Sequence, residues 1–260
     1  MLLNANGIQL IGVHTQHLGT STGADNCVIK KCRITGSAGW AMFLQNTSGW
    51  IIEGNIIESI SICIYFGFSS SHNTQIRYNV LLGTNGWSKI AGISNSAAER
   101  TYIFNNVFLG SSGGDINAFD QVDYCSIDNN IFYNCIPDGN STFYLEFCTM
   151  NNNISYGSID NTFYQSGTNN LAGVDPQFVN YPGPPVLYDY AIDLSLQPTS
   201  PGHNTGTDGT DRGVYGGLGN LFTETGEPSI AEITAFTITS PTTIAPRGTL
   251  TISVTSKRVP

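Results

Sequence analysis

The stretch Thr-Tyr-Ile-Phe-Asn-Asn-Val-Phe-Leu-Gly, residues 101–110, decides the fold, because shifted versions of it recur along the chain. With Asn106 as reference, Ile103 lies three residues before it, and a β-branched and a bulky apolar residue follow. The same arrangement surrounds Asn55 (Ile52, Ile56, Ile57), Asn79 (Ile76, Val80, Leu81) and Asn130 (Ile127, Ile131, Phe132). It returns in looser form at Asn153 (Met150, Ile154) and at Cys32 (Ile29, Ile34), where Cys replaces Asn. The reference positions 32, 55, 79, 106, 130 and 153 lie 23, 24, 27, 24 and 23 residues apart. A fixed period of this size marks a repeat architecture.

Each unit lacks helical periodicity and is rich in Ile, Val, Phe, Tyr, Thr, Gly, Ser and Asn. Short apolar runs between such turn residues are strand signals. One unit of about 24 residues is therefore one coil of an all-β solenoid, and successive coils stack as parallel sheets about 4.8 Å apart. Stacking predicts an interior column of Ile29, Ile52, Ile76, Ile103, Ile127 and Met150. It also predicts one line of reference Asn side chains bonded coil to coil, at a bend whose left-handed backbone Asn tolerates. Second strands are visible at residues 40–44, 62–66, 90–93, 116–119 and 143–145, and an extra loop at 83–89. After Tyr156 the period breaks, since Asn170 follows Asn153 by only 17 residues.

This pattern resembles the right-handed parallel β-helix of the pectate-lyase type, with its Asn stack at one turn. The handedness is what the resemblance implies. The pieces Asp175-Pro-Gln-Phe-Val-Asn180, Asp193-Leu-Ser-Leu196, Ser200-Pro-Gly-His-Asn-Thr-Gly206 and Asp211-Arg-Gly-Val-Tyr-Gly-Gly217 follow in that order. They resemble the C-terminal end of bacterial surface proteins with β-helix repeats, which implies an extracellular or cell-surface location. Residues 1–217 are thus expected to form the β-helix with its closing coil, and 218–229 a linker. Residues 230–260 are expected to form a C-terminal strand extension. Within it, 230–239 and 249–255 alternate apolar and polar residues and resemble the start of an immunoglobulin-like sandwich, which needs about seven strands. An isolated hairpin is marginal in water. Residues 230–256 are therefore expected to pair with another copy of the chain, or to dock on an open solenoid edge. A head-to-tail contact of this kind propagates as a filament unless it closes.

The formal net charge of −9, with ten Lys and Arg scattered along 260 residues, argues against nucleic-acid binding. No apolar run reaches the length of a membrane-spanning helix. The first ten residues lack the basic and apolar regions of a signal peptide. Six Cys are too few for a disulfide framework. Cys125 and Cys148 share one offset on adjacent coils, either as buried thiols or as a bridge. Residues 46–48 and 140–142 have the form of glycosylation sequons. His14 and His17 read as part of a solvated loop.

Neither a lyase base beside a cation nor a compact Asp cluster appears as a local string. Aligning the coils does produce a charged column seven residues before the reference: Asp25, Ser48, His72, Glu99, Asp123 and Glu146. Glu99, Asp123 and Glu146 would be neighbours about 5 Å apart per coil, near the carboxylate separations of glycosidases. They are the candidate catalytic residues and a candidate Ca2+ site, with no other cofactor indicated. His72, Arg77 and Arg100 are the candidate substrate-binding residues. A second column, Lys30, Glu53, Arg77, Phe104 and Asp128, reads as a solvent-facing salt-bridge row. Trp40, Trp50, Trp87, Tyr102 and Tyr124 are candidates for stacking on sugar rings. Two functions stay open: an extracellular structural or adhesive solenoid that assembles with copies of itself, and a polysaccharide lyase or glycoside hydrolase.

Overall fold

The computed structural model describes residues 1–20, 23–37, 39–83, 87–111, 116–138, 144–183, 188–218 and 222, together with the strand backbones Ala231–Ile238 and Ile252–Arg258. The chain is an all-β parallel solenoid of about six turns. Each full coil contributes one strand to each of three sheets, called I, II and III here in chain order. The coil Ile64–Ser69, Gln75–Arg77, Val80–Gly83 is representative. Among the described residues, sheets I and II have seven strands and sheet III has eight. No helix among the described residues is long and apolar enough to cross a membrane.

The interior column stands as the spacing predicts. Ile29, Ile52, Ile76, Ile103, Ile127 and Met150 are register partners along sheet II and are fully buried. The Asn column is one hydrogen-bonded ladder. Each Asn Oδ1 accepts both the backbone N–H and the side-chain N–H of the Asn before it, at 2.9–3.1 Å from Asn55 to Asn153. Asn170 ends the ladder in the same way, so the shortened last coil keeps the register that the broken period had obscured. The left-handed residue, however, is the one before each ladder Asn. Lys31, Gly54, Tyr78, Asn105, Asn129 and Asn152 have φ between 51° and 67°. The ladder position is Asn because it needs a donor and an acceptor in a buried place, rather than because the backbone bends there.

The central strands of sheet III, Ile56–Ser59, Val80–Gly83 and Val107–Leu109, are buried on both faces, which is why an apolar run rather than an alternation follows their ladder Asn. Ile57, Leu81, Phe108 and Phe132 face the solenoid interior. Ile56, Val80, Val107, Ile131 and Ile154 form a second core with Phe178, Tyr188, Leu194, Leu196 and Val214. Residues 175–183 and 188–217 therefore do not close the last coil. They run back along the solenoid as a strap over sheet III. Gly213 N–H donates to Asn129 O at 2.8 Å, and Asn105 Nδ2 donates to Asp211 O and Gly213 O at 3.3 and 3.1 Å. At Gly213, φ is +83°, and a Cβ there would meet Ile131 Cδ1 at 2.8 Å, so only glycine fits. Buried Arg212 donates to Asn153 O and Asn169 O at 3.1 and 3.0 Å.

All six cysteines are free and buried. Cys125 N–H donates to Cys148 Sγ at 3.2 Å, so this column is a stack of thiols. The row expected to be solvent-facing is partly buried. Glu53, only 3% exposed, is bonded by Lys30 at 2.8 Å and by Arg77 Nε at 2.7 Å. Lys89 is fully buried and its amine has no hydrogen-bond partner among the described residues, a costly arrangement for an amine. Strands Ala231–Ile238 and Ile252–Arg258 pair antiparallel with each other and join no solenoid sheet among the described residues. The linker expected at 218–229 lies outside the described residues except for Leu218 and Phe222, as do residues 84–86 of the expected loop and the sequon at Asn140.

Asp138 gives the fold a pH dependence of known sign. Its Oδ2 accepts the N–H groups of Tyr164 and Gln165 at 2.8 and 2.6 Å, and its Oδ1 has no partner among the described residues. Burial pushes this carboxyl up to about 6 against the opposing pull of the two N–H groups. The folded chain therefore holds a proton that the unfolded chain has released. The resulting stability is fully present below about pH 4, the ordinary Asp range, and is lost as pH rises through about 6. The melting temperature of Asp138→Asn minus that of the parent should therefore rise between those limits. Parallel pH profiles for the two proteins would contradict the assignment.

Candidate functional site

The column expected to carry chemistry divides into two parts. Asp123 and Glu146 stand opposite each other on Phe119–Asp123 and Leu145–Glu146. Burial, and secondarily Glu146, pushes the Asp123 carboxyl above its ordinary range. Glu99 does not join them. It ends a turn closed by its bridge to Ser96, and its Oε1 lies 3.9 Å from His72 Nδ1. The reason is an insertion. Ile93 pairs with Val122 and Thr101 with Cys125, yet the earlier coil has residues 94–100 where the later one has only 123–124. Among the described residues no three His, Cys, Asp or Glu side chains assemble to hold a metal ion, so Glu99, Asp123 and Glu146 do not make the expected Ca2+ site.

The candidate substrate-binding residues are also dispersed. Ser70 Oγ meets the same His72 Nδ1, at 3.1 Å, so His72 relays nothing between Ser70 and Glu99. Arg77 lies on sheet II and is occupied by Glu53 and Gln75. Arg100 sits at the following bend, its carbonyl accepting from Asn73 N–H at 2.8 Å. His17 is held by a 2.8 Å contact from its Nδ1 to Trp40 O, and His14 is exposed.

What does converge is the outer face of sheet I. Its strands place Leu2, Gly19, Phe43, Tyr65, Ala91 and Asp120 in one register column. The residues just before four of them, Met42, Ile64, Ile90 and Phe119, are buried inward. Trp40, Phe43 and Tyr65 have ring centroids 5.2–5.6 Å apart and planes inclined by 31–41°, forming one continuous aromatic surface. Phe68 abuts Tyr65 edge-on at 5.6 Å. Trp40 is 41% and Phe68 58% exposed. Gly92 leaves room for this surface, since a Cβ there would lie 2.8 Å from the Tyr65 ring.

Asp120 continues the column. Its Oδ1 is buried with no hydrogen-bond partner among the described residues, and burial pushes its carboxyl up. Burial, then Asp120, pushes the Tyr65 phenol up as well. Farther along, Tyr124 and Phe147 stack at 4.8 Å and 20°, at the bend leading out of sheet I beside Asp123 and Glu146. Phe68, Tyr124 and Phe147 all have left-handed backbones, with φ of 54°, 51° and 54°. Asn26, Gly49 and Asn73 occupy the bend of Tyr124 and Phe147 in earlier coils, where left-handed geometry costs little. An aromatic there stores about 1–2 kcal/mol of strain.

Of the aromatics read as sugar-stacking candidates, Trp40 and Tyr124 belong to this face. Trp50 is a core residue whose Nε1 donates to Ala24 O at 2.6 Å. Tyr102 is exposed on sheet II, and Trp87 is exposed. Phe43, Tyr65 and Asp120 were missed. A signal for the first two was available: aromatics at the outward positions of strands whose inward neighbours are Met42 and Ile64.

Two clefts lie away from this face. One, of about 270 Å3, is lined by Arg33, Glu58, Ile60 and Leu82 among others. There Arg33 and Glu58 are already bonded to each other at 2.7 Å. The other, of about 220 Å3, lies between Tyr133, Asp175, Gln177, Phe178, Tyr181 and Gln197 and has a single carboxylate. Neither offers the paired groups of a hydrolase or a lyase.

No family model matches the sequence, and no curated protein does. A solved structure similar to the chain is that of QnrB1, a plasmid-mediated fluoroquinolone resistance protein, at 10% identity and a TM-score of 0.24. The match covers 65% of this chain and 85% of that one.

Proposed function

We propose that this chain is a non-catalytic, extracellular adhesive solenoid that binds glycan chains along the outer face of sheet I. The observation that carries the proposal is the continuous surface of Trp40, Phe43, Tyr65 and Phe68. A pyranose ring has an apolar C–H face that lies flat on such rings, and exposed aromatic patches of this kind mark interaction sites. The strained aromatic bends add support, because Gly or Asn would serve the fold better. Pull-down on insoluble polysaccharides should retain the parent. Tyr65→Ala with Trp40→Ala should lose roughly 10–100-fold in affinity, about 1–3 kcal/mol for two ring contacts, in a chain whose circular dichroism still reports the folded β-solenoid. Equal retention of parent and variant would exclude this face.

An enzyme of the hydrolase class has narrower support, the opposed Asp123 and Glu146 with Asp123 raised. The same polysaccharides, assayed for released reducing ends, decide between the two readings. Release abolished by Asp123→Asn would establish catalysis, and no release would leave the adhesive reading. Self-assembly through residues 230–256 is a separate proposal, resting on strands that join no solenoid sheet among the described residues. A chain ending at residue 226 should sediment as a smaller species, and an unchanged one would refute the role of the tail.

A further inference from the structure

Across the described residues, the protein pairs its buried acids on sheets II and III. Glu53 is held by Lys30 and Arg77, and Glu58 by Arg33. Sheet I is different. Its strands contain no Lys or Arg. They carry three partly buried carboxylates, Asp120, Asp123 and Glu146, none of which forms an ion pair among the described residues.

These acids continue sheet I beyond the aromatic surface. Asp120 stands in the column of Phe43 and Tyr65, two strands beyond Tyr65 and separated from it by Ala91. Asp123 and Glu146 immediately precede the stacked Tyr124 and Phe147. From the Phe43 strand to the Glu146 strand is four strand spacings, about 19 Å, so the aromatic cluster at one end and the carboxylates at the other span a length that suits a polymer.

Unpaired carboxylates at this density repel a polyanion and attract a polycation. We propose that the ligand of this face is a polysaccharide bearing free amines, a glucosamine-type polymer. Its ring faces lie on the aromatic residues and its ammonium groups meet Asp120, Asp123 and Glu146. This inference rests on the glycan-binding reading above and narrows it. The buried Glu53 and Glu58 have cationic partners within the chain, and on sheet I the cations are left for the ligand to supply. The elevated carboxyls of Asp120 and Asp123 agree with a site that lacks its countercharge when empty.

The test is binding of the full chain to beads of partly deacetylated chitin, fully acetylated chitin, cellulose and polygalacturonate. The assay is run at mildly acidic pH, where amino sugars are protonated. The deacetylated polymer should bind about tenfold or more tighter than the acetylated one, the sum of three modest charge contacts, and polygalacturonate least. The preference should vanish in the triple variant Asp120→Asn, Asp123→Asn, Glu146→Gln. High salt applied to the parent should collapse it too, and that measurement needs no variant to fold. Equal binding to the deacetylated polymer, chitin and cellulose would overturn the amine inference and leave the glycan-binding reading intact. So would a preference that survives both salt and the triple variant, or tightest binding to polygalacturonate. Binding to none of the four would overturn both, and capture by polylysine beads alone would redirect the face to a basic peptide.

Discussion

Asn106→Ala is expected to cost about 4 kcal/mol of stability, because its two amide hydrogens, one of them shared between acceptors, and its Oδ1 make the equivalent of four hydrogen bonds worth about 1 kcal/mol each. Its Nδ2 donates to Ile76 O, Phe104 O and Asn130 Oδ1, and its Oδ1 accepts the backbone and side-chain N–H groups of Asn79. Alanine leaves the Asn79 backbone N–H without that acceptor inside the solenoid. A loss of this size rivals the whole stability of many domains. At the end of the ladder, Asn170→Ala removes three bonds from a partly exposed site, and about 1–2 kcal/mol is expected. Urea denaturation compares the two directly. Equal losses, or an Asn106→Ala protein within about 1 kcal/mol of its parent, would show that the backbone ladder holds the coils without the Asn column.

Arg212→Ala should release the strap. This guanidinium is 5% exposed and has no carboxylate partner among the described residues. It binds the carbonyls of Asn153 and Asn169 and both oxygens of Thr205. Burial pulls its pKa down, yet it stays charged, as arginine does in proteins, and its planar fork suits several carbonyls at once. Removing it leaves those carbonyls short of donors and uncouples residues 205–213 from the last coils, at an expected cost of about 3 kcal/mol. Arg212→Lys should not rescue, because an ammonium cannot span the same acceptors. Limited proteolysis offers a local readout, with cleavage between residues 200 and 217 appearing in Arg212→Ala well before the solenoid is cut. Resistance equal to the parent's would assign the strap's attachment to Gly213, Asn129 and the apolar contacts of Val214.

The sequence by itself determined the parallel solenoid, its register and its inner column, because these repeat. Ile76 must match Ile52 and Ile103 in a stack of coils, and the spacing states that match without any knowledge of distant residues. The Asn ladder was legible for the same reason, although its cause was misread. The left-handed residue is Asn105 or Asn129, and the ladder Asn earns its place by bonding. Only the tertiary structure decided where the repeat is interrupted and what covers it. Glu99 shares an offset with Asp123 and Glu146, yet five more residues loop out in its coil and turn it toward His72. The outer face of sheet III is apolar because a strap from far along the chain lies on it. Tyr188 N–H reaches Glu58 Oε1 at 3.0 Å across 130 residues. Phe43, Tyr65 and Asp120 meet for a comparable reason. Each is unremarked within its own coil, and only stacking at one strand spacing per coil makes them a surface.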